Sequence, residues 1–132
     1  MTKEELYLKT IFCCIACDGN IATEEVDMVR DLCAKDRIFH NLDSEEYLNS
    51  WITEINEQGG AFLQTYLKEI NSVELNEQEQ LLLVSLAIKA IEADNSIEYA
   101  EVKFFKKIRS TLTISDEAIW HSCKYPWLKF VV

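Results

Sequence analysis

The sequence predicts an all-α fold, a compact bundle of six or seven helices that forms one domain over residues 1–132. Apolar residues recur at steps of three and four along almost the whole chain, which is typical of helices that each bury one face. The 132 residues are 48% apolar, which is enough to fill a single core. Only three glycines and one proline are present, too few for the closely spaced turns of an all-β fold.

The first three helices are predicted from their apolar stripes and from one capping pair. The first covers about Glu4 to Cys17, and the second covers about Thr23 to Lys35. The third opens at Asp43, and Glu46 stands three positions later, the spacing at which two side chains cap a helix reciprocally. Gly59-Gly60 then interrupts the helical pattern and should end this helix.

The fourth and fifth helices follow this glycine pair. The fourth repeats the apolar stripe from Phe62 to Ile70. Asn76 and Glu79 are spaced to cap the fifth, which is apolar on most sides from Leu81 to Ile91. A helix of that kind is buried on most sides, so the fifth helix is predicted to be the central one.

Two further helices are predicted near the C-terminus. The sixth runs from about Tyr99 to Leu112, and Ser115 caps a short seventh that ends before Pro126. The apolar residues 127–132 are expected to dock on the bundle. The bases of the sixth helix are expected to form a solvated face. They are Lys103, Lys106, Lys107 and Arg109.

The charge balance argues against two classes of partner. The chain has 23 acidic and 13 basic side chains, a formal net charge of −10. Nucleic-acid binding depends on concentrated Lys and Arg, so no nucleic-acid partner is expected. An anionic membrane surface is disfavoured for the same reason.

The cysteines and the N-terminal segment indicate a reduced, cytoplasmic protein. Five cysteines form an odd set in a chain large enough to fold without disulfides. The N-terminus lacks the profile of a secretory signal, and no apolar stretch is long enough to span a bilayer. Cys14-x-x-Cys17 invites a zinc or redox interpretation, but these cysteines close a helix, and we expect the cysteines to lie in the core. The five are Cys13, Cys14, Cys17, Cys33 and Cys123.

Two segments of the chain superpose when the sequence is shifted by 76 positions, which places Asp18 on Asp94. The shared element is Asp-x-x-Ile-x-x-x-Glu, at residues 18–25 and again at residues 94–101. In both copies it lies between one helix and the next. Such a repeat indicates two helical hairpins related by approximate symmetry.

Each copy of this element predicts a corner that carries carboxylates on both sides. The aspartate lies at the end of one helix, and the glutamate falls in the first turn of the next, where the helix dipole favours a negative charge. Gly19-Asn20 suits the turn that closes a helix. The isoleucine of each copy, Ile21 or Ile97, is expected to pack across the corner.

The helix–Asp-Gly-Asn-Ile-x-x-x-Glu–helix unit and its degenerate second copy resemble the tellurite-resistance TerB-like family, over roughly Glu4 to Leu112. The second copy departs from the first by having Asn95 in place of glycine. The resemblance implies a compact helical fold of cytoplasmic bacterial proteins linked to stress response. It also implies an acidic cluster suspected of binding divalent cations. By the matching positions, its metal ligands here are Asp18, Glu25, Asp94 and Glu101.

Two interpretations of these four carboxylates stay open. In the first they converge on a hard cation, Ca²⁺ or Mg²⁺, with Asn20 and Glu98 in support. In the second they bind no metal. Glu25 and Glu101 then accept the backbone N–H groups of the cap residues Ala22 and Glu98, and the aspartates bond to loop amides.

The sequence predicts no enzyme, because it has no serine elbow, no Gly-rich phosphate loop and no legible nucleophile–base pair. The expected function is a non-enzymatic cytoplasmic module that binds a divalent cation, in stress response or in protein interaction. The alternative is a metal-free helical interaction scaffold, with an aromatic patch near Trp120, Trp127 and Phe130. A hydrolase that uses the carboxylates as acid and base is least favoured.

Overall fold

A computed structural model describes residues 1–93 and 97–123. Over these residues the chain forms seven α-helices and one short 3-10 helix, with no β-strand, which confirms the predicted all-α class. The 3-10 helix, Arg37–Phe39, lies between the second and third α-helices. The α-helices are α1 (Lys3–Ile15), α2 (Thr23–Lys35), α3 (Ser44–Gln58), α4 (Gly60–Ser72), α5 (Glu77–Glu92), α6 (Tyr99–Ser110) and α7 (Asp116–Cys123).

The predicted capping residues start the helices at which they were expected. Asn76 and Glu79 bond reciprocally at 2.9 Å in both directions, as predicted for α5. At α3 the Asp43 half of the predicted pair forms, with Oδ1 accepting from the Glu46 amide at 3.2 Å. Ser115 Oγ accepts from an amide in the first turn of α7 at 3.1 Å. Each such bond satisfies a backbone donor that the first turn of a helix leaves unpaired.

The core is centred on α1 and α5, which pack along each other. α5 was predicted to be central, and α1 shares that position because ten consecutive residues from Leu6 to Ile15 are buried. α1 also contacts α2, and α5 contacts α6. The two predicted hairpins, α1–α2 and α5–α6, therefore meet through their first helices.

The structure differs from the sequence prediction at two places early in the chain. α1 ends at Ile15 rather than at about Cys17, because Ala16 has φ −95° and ψ 29°, outside the helical conformation, and Gly19 then takes a φ of 90°. The 3-10 helix at Arg37–Phe39 was not predicted, since three residues carry no apolar period. Asp36 caps it, its Oδ1 accepting from the Ile38 amide at 3.2 Å.

The cysteines and the basic residues of α6 follow the sequence prediction in part. All five cysteines are free; Cys13, Cys14 and Cys33 are buried, and the other two are half-buried. The three lysines of α6 are exposed, as predicted. Arg109 is half-buried instead, because its Nε donates to Asp116 Oδ1 at 2.7 Å.

In the described residues, none of the helices combines the length and the apolar composition needed to cross a membrane. The predicted docking of residues 127–132, which include Trp127 and Phe130, lies outside the described residues.

Candidate functional site

The two predicted corners border a single recess of about 200 Å³, here called the acidic recess. The structure thus brings together three of the four predicted metal ligands, Asp18, Glu25 and Glu101, and adds the predicted supporting residue Glu98. Asp94, the fourth predicted ligand, lies outside the described residues. The residues that line the recess are Ile15, Cys17, Asp18, Glu25, Glu98, Ala100 and Glu101.

The first corner is held by a glycine and by an aspartate. Gly19 has a φ of 90°, and a Cβ added there would lie 3.3 Å from the backbone nitrogen of Gly60. The corner therefore packs against the turn between α3 and α4, and only glycine fits without a shift. Asp18 is exposed, and its Oδ1 accepts from the Asn20 amide at 3.2 Å. Ile21, expected to pack across the corner, is half-buried against the core cluster.

The glutamates of both corners form the predicted capping bonds. Glu25 Oε1 accepts from the Ala22 amide at 2.8 Å, and Glu101 Oε1 accepts from the Glu98 amide at 2.9 Å. Ala22 has no side-chain acceptor, so at α2 the glutamate alone supplies the side-chain cap. Glu101 is only 8% exposed, whereas Glu25 is half-buried. These capping bonds occupy one oxygen of each carboxylate.

The second corner differs from the first in its isoleucine. Ile97 was expected to pack across the corner, but it is 40% exposed and lies outside the core cluster. The first corner is covered by the Gly59-Gly60 turn, on which Gly19 rests. The repeat therefore preserves the carboxylates and the helix starts more closely than it preserves the apolar contact.

The carboxylates of the acidic recess affect the pKa of the Cys17 thiol. Burial, together with the negative charges of Glu101, Asp18 and Glu25, raises the pKa of Cys17 to about 12. Carboxylates from both corners thus act on one side chain. Burial likewise holds the pKa of Cys14 well above its usual range. Both thiols are protonated near neutral pH, which disfavours the redox interpretation of Cys14-x-x-Cys17.

The described residues contain no group of three or more His, Cys, Asp or Glu side chains placed to hold a metal ion. Asp94 is not among the described residues. Asn20, predicted to assist a cation, does not line the recess, and its backbone amide is bonded to Asp18. The described side chains alone therefore do not form a closed coordination shell.

Cys17 lines the candidate site, although the sequence analysis did not predict it there. It was expected in the core, yet it is half-buried and lines the acidic recess. Its position directly before Asp18, at the predicted end of α1, was the available signal. Ile15 and Ala100 complete the lining and carry no chemical signature in the sequence.

Comparison with family models, with curated proteins and with solved structures gives no match. The resemblance to the TerB-like family therefore stays a prediction.

Proposed function

We propose that this chain is a non-enzymatic cytoplasmic module of the TerB-like kind that binds a divalent cation, Ca²⁺ or Mg²⁺, in the acidic recess. The observation that supports the proposal is the meeting of carboxylates from both hairpins at one recess. Of the residues that the structure describes, four acidic side chains and no basic one line it. Hard cations take oxygen ligands, and a bound cation would relieve the repulsion among these charges.

The capping bonds set how such an ion is held. Glu25 and Glu101 each use one carboxylate oxygen to cap a helix. The described side chains alone therefore do not supply a complete set of ligands for a metal ion. Mg²⁺ commonly keeps several of its waters and binds through only one or two carboxylates. We therefore propose a hydrated ion whose ligands are Asp18 and Asp94, which follow α1 and α5 at equivalent places in the sequence repeat.

Thermal unfolding tests this proposal. A ligand that binds only the native state stabilises it in proportion to the logarithm of its concentration. At ten times the Kd, Ca²⁺ or Mg²⁺ should raise the Tm by about 5 °C. The double substitution Asp18→Asn with Asp94→Asn should abolish the shift. Mn²⁺ and Zn²⁺ belong in the same series, because they compete for similar sites.

A matched control separates coordination from charge screening. Glu57→Gln with Glu74→Gln removes two negative charges from exposed positions that do not line the recess. This variant should keep the full metal-dependent shift. An equal shift in both double variants, or no shift with any of the four cations, would rule the metal site out.

The second candidate is a metal-free interaction scaffold, and two observations favour it. The caps at Glu25 and Glu101 account for these carboxylates without a cation. Tyr99 is 82% exposed and Trp120 is 41% exposed, so aromatic surface is offered to a partner. This candidate predicts a Tm that metal does not change. It also predicts a co-purifying partner protein that is lost on Trp120→Ala or Trp127→Ala.

The cellular role that follows from the resemblance is a stress response of the tellurite-resistance kind. A host strain without this chain should then grow less well on tellurite. The wild-type chain should restore growth, and the Asp18→Asn, Asp94→Asn variant should not. Equal growth with and without the chain would remove this role while leaving cation binding to the thermal test.

A further inference from the structure

A second recess, also of about 200 Å³, lies where α1, α2 and α5 meet. It is here called the lysine-rimmed recess and is lined by Ile11, Leu32, Lys35, Asp36, Leu86 and Lys89. Glu25 of the acidic recess and Lys35 of this one stand near opposite ends of α2. At 1.5 Å per residue, these ends are separated by about 15 Å. The two recesses are therefore distinct sites.

The wall of the lysine-rimmed recess is apolar. Ile11 and Leu86 are each 2% exposed, and Leu32 is half-buried against the same core cluster. Side chains held in a packed core form a wall that does not collapse readily. An apolar cavity of roughly 150 Å³ is enough to bind benzene. The present recess therefore accommodates an aromatic ring with a small substituent.

Two lysines from different helices stand at this recess. Lys89 of α5 is exposed and makes no ion pair with any residue in the described ranges. Lys35 of α2 pairs with Asp31 at 3.4 Å, but both side chains are more than 70% exposed. Such surface pairs are weak and leave the ammonium available to a ligand. In a chain of net charge −10, two ammonium groups beside one apolar recess favour an anionic ligand.

Asp36 restricts where that anion lies. Its carboxylate caps the 3-10 helix by accepting from the Ile38 amide at 3.2 Å. A second carboxylate beside Asp36 would be repelled, so the anionic group of a ligand is expected on the side of Lys89. The apolar body then covers the wall formed by Ile11, Leu32 and Leu86.

We propose that the lysine-rimmed recess binds a small carboxylic acid with an apolar body about the size of a benzene ring. The apolar body is buried on the aliphatic wall, and the carboxylate lies near the Lys89 ammonium group. Binding needs no metal and does not depend on the acidic recess. The site is a binding site and performs no chemistry on the ligand.

Phenylacetate is the probe, titrated into the full chain with a chelator present and followed by amide NMR. Saturable shifts should centre on Leu32, Leu86 and Lys89, with a Kd of about 1 mM, as fits a ligand of this size. The neutral isostere phenylacetamide should bind about tenfold more weakly, because it lacks the charge. Lys89→Gln should weaken phenylacetate about tenfold and leave phenylacetamide unchanged.

Two further variants make the result decisive. Lys103→Gln removes an exposed lysine of α6 that does not line the recess, so it should leave the phenylacetate Kd unchanged. Leu32→Trp should fill the recess and abolish binding of both probes, and the amide spectrum itself reports that the variant is folded. The proposal is overturned by any of three results. These are no saturable shift up to about 20 mM phenylacetate, equal affinity for acid and amide, or a Kd that Lys89→Gln does not change.

Discussion

Lys9 shows how a single residue joins two helices inside the core. It lies on α1 and is only 5% exposed, although lysine is rarely buried without a partner. Its ammonium bonds to Glu69 Oε1 of α4 at 2.5 Å and lies 4.8 Å from the centroid of the Phe62 ring. The charge is thus paired on one side and faces an aromatic ring on the other. The two contacts hold α4 against α1.

Removing the partner of this lysine should be costly. Glu69→Gln leaves a buried ammonium without its counter-charge, which destabilises more than the pair itself stabilises. Because the Glu69 side chain is 26% exposed, we expect a loss of about 2 kcal/mol in the free energy of unfolding rather than the largest values seen for such changes. Urea denaturation of the wild type and the variant measures it.

The background Lys9→Met provides the control for Glu69→Gln. Methionine keeps much of the apolar stem but has no charge to leave unpaired. In that background Glu69→Gln should change the free energy of unfolding by less than about 0.5 kcal/mol, because no buried ammonium is left without its partner. An equal loss in both backgrounds would show that Glu69 acts through something other than Lys9.

At the scale of the element, helix starts were more predictable than the ends of helices. α2 begins at Thr23 and ends at Lys35 as predicted, because its stripe and its cap agree. Ser44 begins α3 directly after the predicted cap, Asp43. α1 ends at Ile15, two residues before the predicted end, and the corner that follows it packs through Gly19 against the distant Gly59-Gly60 turn, a contact that no local pattern encodes.

The glutamate caps give a prediction that separates capping from cation binding. Glu25→Gln keeps an oxygen that can accept from the Ala22 amide, whereas Glu25→Ala removes it. Without metal, Glu25→Ala should cost about 1 kcal/mol of stability and Glu25→Gln clearly less. Thermal or urea unfolding in a chelating buffer compares the two.

The neighbouring Glu24 provides the matched control for this cap. It is exposed in the same first turn of α2 and does not cap Ala22. Glu24→Ala should therefore lose only the few tenths of a kcal/mol that the helix dipole contributes to such a charge. If Glu24→Ala were as costly as Glu25→Ala, the cap would not be the stabilising contact.

At the scale of the whole molecule, the repeat predicted the acidic recess but not the lysine-rimmed one. Two similar hairpins that pack through α1 and α5 bring their corners together, so a short motif found twice was informative. Lys35 and Lys89 belong to no motif, and only the packing of three helices brings them to one recess. A sequence pattern predicts local structure. It predicts which distant residues lie close together only where a repeat relates the two segments.

The field of the acidic recess offers a test of cation binding that does not depend on stability. The pKa of Cys17 stands near 12, above the usual 9.0, through burial and the charges of Glu101, Asp18 and Glu25. Only the thiolate is alkylated, and each unit by which the pKa falls raises the thiolate fraction tenfold. A cation in the recess opposes the carboxylates and lowers the pKa of Cys17. Saturating Mg²⁺ should therefore raise its rate of alkylation by iodoacetamide several-fold, as followed by mass spectrometry of the labelled peptide.

Cys123 is the internal control for that measurement, because burial is the cause of its raised pKa and it does not line the acidic recess. Its rate should not change when Mg²⁺ replaces NaCl at equal ionic strength, a comparison that also removes the effect of general screening. Asp18→Asn should accelerate alkylation of Cys17 without metal, since one of the charges that raise its pKa is gone. Mg²⁺ should then add little. If Cys17 and Cys123 respond alike to Mg²⁺, the ion is not held among the carboxylates of the two corners.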